Sequence, residues 1–140
     1  MKIQNILVID AQGGGLGRQI IQSVKKIFPE IMITAVGTNS IATSNMLKAG
    51  ADHAATGENA VITGCRKADV IIGPVGIVIA DSLFGEITPK MALAVGQSAA
   101  KRMLIPMAQI HGCDNVVVGV VKQPMDGVVS EIVERLKDEV

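Results

Sequence analysis

"VIDAQGGGLGRQI", residues 8–20, passes from an apolar, strand-like run through three consecutive glycines into a helical pattern. That order sets the amino end of a helix, with its unpaired amides and positive dipole, at the end of a buried strand. Many proteins hold a phosphate this way. Upstream, Ile3, Ile6, Leu7, Val8 and Ile9 form a nearly continuous apolar strand, as a central parallel strand covered on both faces requires. Downstream, Leu16, Ile20, Val24, Ile27 and Phe28 recur at helical spacing, with Arg18, Gln19, Gln22, Lys25 and Lys26 opposite, until Pro29 ends the helix.

The alternation continues along the chain. A strand at Ile31–Val36 closes at Gly37-Thr38-Asn39, and a helix at Ser40–Ala49 ends at Gly50. A short strand at Asp52–Ala55 leads to a helix starting at Thr56 or Gly57, with Val61, Ile62, Cys65 and Ala68 on its inner face. Asp69–Pro74 is another buried strand, and Val75–Gly85 fits no single pattern. Thr88-Pro89 is a strong helix start, a capping residue followed by proline, opening an Ala-rich helix near Met91–Ala100. Met103–Met107 and Asn115–Val121 read as strands, pairing as an antiparallel hairpin if the turn at Gly112 is tight. Asp126 caps a last amphipathic helix carrying Val129, Ile132, Val133 and Leu136. Strands alternating with helices predict one doubly wound α/β domain over residues 1–140, its sheet mostly parallel.

Composition narrows the function. The chain has 140 residues, enough for one real core, yet no Trp, no Tyr and only two Phe. Aromatic stacking platforms for nucleic acid are therefore absent, and a formal net charge of zero supplies no basic face. The longest apolar run, Val70–Ala80, is too short for a membrane span, which needs about 20 residues. MKIQNILVID lacks a signal-peptide pattern, so a cytoplasmic protein is expected. Cys65 and Cys113 have no CxxC spacing and read as thiols of a reducing compartment. His111-Gly-Cys113-Asp114 reads as a turn rather than a metal site.

The glycine loop departs from the dinucleotide pattern G-x-G-x-x-G. With Gly17 as the last glycine, Gln12 falls at the first position and Gly14 at the second. Four glycines in five residues exceed what helix packing demands, since each loses backbone entropy on folding. No acid lies between Glu30 and Asp52 to bind ribose hydroxyls, and Lys48 is the only base there. Without Tyr, the Tyr-Lys relay of short-chain dehydrogenases cannot exist. Binding without hydride transfer is the expectation, with NAD(P) or another adenine nucleotide as the cofactor class.

In an open α/β sheet, ligands sit at the carboxyl ends of the strands. Those ends gather Gln12, Gly13, Gly14, Gly15, Leu16 and Gly17 for a phosphate, and Thr38, Asn39 and Thr43 for a ribose. Gly57, Asn59, Gly73 and Pro74 complete the expected site, though such residues also serve as ordinary caps. Asp10 would repel bare phosphate unless it caps amides, holds Mg²⁺ or binds sugar hydroxyls. Glu58 and Lys90 are the other weak candidates for proton, metal or charge work.

Read together, IDAQGGGLG, GTNSIATSNMLKAGA, ATGENAVI, IIGPVGIV, GEITPKMA and LIP resemble a family of small bacterial proteins catalogued only as a domain of unknown function. The resemblance covers nearly the whole chain and implies a Rossmann-like fold, with no activity to carry over. The expected protein binds a nucleotide, dinucleotide or phosphorylated metabolite. Its rivals are an enzyme acting on such a ligand and a structural or regulatory homo-oligomer with none. A high apolar fraction on a short chain favours a homo-oligomer in either case.

Overall fold

A computed structural model describes residues 2–107, 112–121 and 123–140. Five strands, β1 (Asn5–Asp10), β2 (Met32–Gly37), β3 (His53–Thr56), β4 (Val70–Pro74) and β5 (Lys101–Ile105), form one sheet in the order β3-β2-β1-β4-β5. Every pairing is parallel, with Val8 opposite Ala35 on one side and Ile72 on the other. The helices are α1 (Gly15–Ile27), α2 (Ser40–Lys48), α3 (Glu58–Lys67), α4 (Pro89–Gln97) and α5 (Met125–Lys137). This is the doubly wound arrangement that the alternating pattern predicted and the Rossmann-like fold that the resemblance implied.

The continuous apolar run in β1 has a direct structural cause. Ile6 and Val8 point to a core shared with Ile20, Ile21 and Val24 of α1, Met46 of α2 and Ile132 of α5. Leu7 and Ile9 point the other way, into a core with Val61 of α3 and Met91 and Val95 of α4. Each buried aliphatic side chain adds roughly 1.5–3 kcal/mol of transfer free energy. Two faces therefore demand apolar residues at every position of the middle strands.

Boundaries shift by a residue or two for local reasons. β2 and β3 each begin and end one residue later than expected. β5 starts at Lys101 and stops at Ile105, because Pro106 has no N–H to continue the ladder. α4 ends at Gln97, where Ser98 turns extended and its hydroxyl donates to the Cys65 carbonyl at 2.7 Å. Asn39 caps α2, accepting the Ala42 amide at 2.9 Å. Asp126 lies in the first turn of α5, behind the capping position taken by Pro124.

One expectation fails outright. Among the described residues Asn115–Val121 forms no strand, only a single bridge residue at Val116, and no antiparallel hairpin with residues 103–107, the pairing the sequence left open; β5 pairs with β4. Gly119 has φ +89°, which breaks the extended run, and Val118 is 92% exposed. A valine-rich segment with no sheet face to cover keeps only its apolar character. His111 of the suspected metal turn lies outside the described residues. Val75–Gly85, ambiguous in sequence, opens with a 3₁₀ turn at Val75–Val78 and continues as tight turns.

Candidate functional site

The sheet reverses its winding beside β1, whose neighbours β2 and β4 lead to opposite edges. Ligands bind at such switch points, outside the carboxyl ends of the strands. Here a cavity of about 950 Å³ opens at those ends, within the range of small-molecule sites. One wall is Asp10 through Leu16. The rest is mostly apolar, made by Pro74, Leu83, Ile105, Pro106, Val128 and Val118–Val121, with Gln123 among them. The segment misread as a strand is therefore a cavity wall.

The four loop glycines divide by what faces them. A Cβ on Gly14 would stand 2.8 Å from the Ala42 backbone, and its φ of +71° is left-handed. A Cβ on Gly17 would meet Met46 Sδ at 2.5 Å, so this glycine lets α1 approach α2 and β1. Gly13 and Gly15 have ordinary backbone angles and nothing within 4 Å of the Cβ position. Both line the cavity. Packing explains two of the glycines and leaves the other two facing open space.

The positive end of α1 is otherwise bare. Its capping residue is Gly14, with no side-chain cap and no acid in the first turn. Asp10 supplies a carboxylate directly beneath it. Buried to 6% exposure, it accepts the Ala11 amide at 2.8 Å and the Gly17 amide at 2.7 Å. Burial pushes its carboxyl above the ordinary value; the Gly17 and Ala11 amides pull it back, and the Glu86 charge adds to the rise. Asp10 thus holds the loop and the helix start together.

The remaining expected residues lie elsewhere. Thr38 and Asn39 sit at the end of β2, outside the cavity lining, both donating to Glu86 Oε1, at 2.8 and 2.7 Å. Thr43 ties α2 to β3, sharing a hydrogen bond with Thr56 at 2.7 Å. Gly57, at φ +99°, caps α3, and Asn59 lies in that helix's first turn. Gly73 packs against β1, where a Cβ would press the Ile9 carbonyl at 2.6 Å. Glu58 accepts the Thr88 hydroxyl at 2.7 Å, capping chemistry between α3 and α4. Lys90 lines a separate groove with Arg66 and Leu93. Of the expected site, the cavity gathers Asp10, Gln12, Gly13, Gly14, Gly15, Leu16 and Pro74.

Sequence reasoning missed Leu83 and Glu86. The stretch between them is unusual, because Asp81, Leu83 and Phe84 all have positive φ, at 66°, 56° and 57°. Left-handed backbone costs a non-glycine residue about 1–2 kcal/mol. The turn that results sends Leu83 into the core, 5% exposed, and delivers Glu86 to the end of β2. Its one legible signal was the failure of residues 75–85 to fit any period.

Among the described residues no helix is long and apolar enough to cross a membrane, and no three His, Cys, Asp or Glu side chains gather as a metal site. No curated protein matches the sequence. The fold is similar to that of a crystal structure described as a dodecameric FMN-dependent UbiX-like decarboxylase from Escherichia coli O157:H7. That similarity has a TM-score of 0.54 over 97% of this chain and 92% of that one. At 17% identity the likeness is one of fold. A family model matches residues 5–140, from the first residue of β1 to the end of the chain, and this protein belongs to that family, the domain of unknown function DUF3842.

Proposed function

We propose that this protein binds a phosphate-bearing nucleotide in the cavity at the carboxyl end of β1 and β4. The phosphate would sit at the amides of Gly13, Gly15 and Leu16, with the ring system against Leu83, Ile105 and Val128. One observation carries the reading: Gly13 and Gly15 have no neighbour that excludes a side chain, yet both line the cavity. Glycine at such positions lets a ligand approach the backbone. The amides of Gly15 and Leu16 at the start of α1, ahead of the Gly17 amide that Asp10 takes, favour an anion there.

Flavin mononucleotide is the first ligand to test, since the structural neighbour is described as FMN-dependent and the apolar wall suits a planar ring. Adenine nucleotides and NAD(P) are the alternatives. Mg²⁺ between Asp10 and a phosphate would have to share oxygens that already accept two amides. Asp10 is the one ionisable side chain lining the cavity among the described residues, so the proposal is one of binding. Assembly into a homo-oligomer belongs to it, supported by exposed Ile41, Phe84 and Leu93.

Native mass spectrometry with FMN, AMP and NAD(P) tests both points. One ligand per chain is expected, lost at least tenfold in Gly15→Ala at an unchanged melting temperature. Equal binding by Gly15→Ala, or no retention of any of these ligands, overturns the proposal.

A further inference from the structure

The cavity lies on one side of β1 only. Its lining runs from the glycine loop towards β4 and β5, and none of Thr38, Asn39 and Glu86 belongs to it. A dinucleotide stretched across the switch point would place its second nucleoside over the end of β2. In this chain that place is taken by a side chain from a distant segment. Glu86 reaches it from the turn before α4, 48 positions after Thr38.

The Glu86 carboxylate is held on several sides. Oε1 accepts the Thr38 hydroxyl at 2.8 Å and the Asn39 amide at 2.7 Å, and Oε2 accepts the Gln12 amide at 3.3 Å. Asn39 also donates to the Gln12 carbonyl at 2.9 Å, closing the gap between the first two loops. Thr38 and Asn39, expected to receive a ribose at the end of β2, thus donate to Glu86 instead. The carboxylate's backbone support is strained, with left-handed residues at Asp81, Leu83 and Phe84. Such strain persists where surrounding structure over-determines it.

We infer that Glu86 is a specificity-determining residue that closes the β2 side of the site and restricts it to mononucleotides. The inference rests on the binding proposed above for the cavity and adds the class of ligand. A ribitol or ribose monophosphate carrying one ring system fits between the glycine loop and the apolar wall. The adenosine half of FAD or NAD would have to break the Glu86 bonds to Thr38 and Asn39 and displace a charged group.

Isothermal titration of the purified full chain with two pairs, FMN against FAD and nicotinamide mononucleotide against NAD⁺, tests it. The wild type is expected to prefer the mononucleotide of at least one pair by tenfold or more. Glu86→Ala should narrow that preference below threefold by strengthening the dinucleotide. Glu86→Asp, which keeps the charge and withdraws it by one methylene, should give an intermediate preference and serves if the alanine variant does not fold. A wild type that binds both members of each pair equally, or a preference unchanged in the variants, overturns the role of Glu86 and leaves the cavity reading standing. A wild type that takes up none of the four ligands overturns the role of Glu86, and overturns the cavity reading as well when AMP is not retained either.

Discussion

Asp10 Oδ2 accepts the Gly17 amide at 2.7 Å. The carboxylate at the end of β1 therefore occupies the third amide of α1, and the two before it, on Gly15 and Leu16, belong to residues at the cavity rim. A buried acid and a glycine seven positions on set how the helix presents its positive end.

Asp10→Asn should lower stability by about 1–3 kcal/mol, because the amide group cannot accept from both Ala11 and Gly17. The pH dependence has a definite sign. A folded value raised above the ordinary one means the folded state holds its proton longer. The advantage of wild type over Asp10→Asn is then full below the ordinary aspartate range and declines as pH rises through the raised value. Denaturant unfolding at a series of acid pH values measures it.

Asp52 should behave in the opposite sense. Burial would raise its carboxyl, but the Lys25 hydrogen bond and the Ile33 amide outweigh that and hold it low. The Lys25–Asp52 pair is 2.7 Å long and also anchors the chain after α1, where Lys25 donates to the Ile31 carbonyl at 2.7 Å. The stability it supplies is present above the ordinary aspartate value and is lost as pH falls through the lowered one. Wild type should therefore lose stability in acid faster than Asp52→Asn, and parallel pH titrations of the two check it.

Alanine scanning of the loop should separate its glycines by stability alone. Gly14→Ala combines left-handed strain with collision against the Ala42 backbone and should cost about 2–5 kcal/mol. Gly17→Ala forces the fully buried Met46 to move and should cost about 1–3 kcal/mol. Gly13→Ala should stay within about 0.5 kcal/mol of wild type. Calorimetry is the suitable measurement, since a chain without Trp or Tyr gives little intrinsic fluorescence.

Thr88 carries two bonds, accepting the Met91 amide at 3.2 Å and donating to Glu58 at 2.7 Å. Thr88→Ala should destabilise by about 0.5–2 kcal/mol, and Thr88→Ser should recover most of that loss. Melting temperatures of the three proteins decide it.

Cys65 should resist alkylation in the native protein. Burial raises its thiol to about 11, leaving little thiolate near neutrality. Mass-mapped iodoacetamide labelling at pH 8 should modify Cys65 only after denaturation; rapid native labelling would contradict the packing of α3 against α4.

Much of this was legible in order of residues because the signals were local. Pro29 after a helical run, Thr88-Pro89 before one, and unbroken aliphatic stretches at Ile6–Ile9 and Val70–Ile72 each report their neighbourhood directly. The half of the site built by the glycine loop shared that property. The other half did not. Leu83 and Glu86 reach their places through a turn of left-handed residues, which no periodicity encodes. Val116, Val118 and Val121 are strand-forming residues outside any strand, in a segment that turns at Gly119. An apolar run reports that a surface is to be covered, and not which one.

The two faces of the glycine loop also bear on how such chains diverge. Gly14 and Gly17 answer to Ala42 and Met46 inside the molecule, whereas a side chain at residue 13 or 15 would meet nothing in it. Among descendants of one ancestor, residue 17 should enlarge only where residue 46 shrinks, a covariation written by the scaffold. Residues 13 and 15 should change together with whatever is bound, leaving the scaffold's pairs untouched.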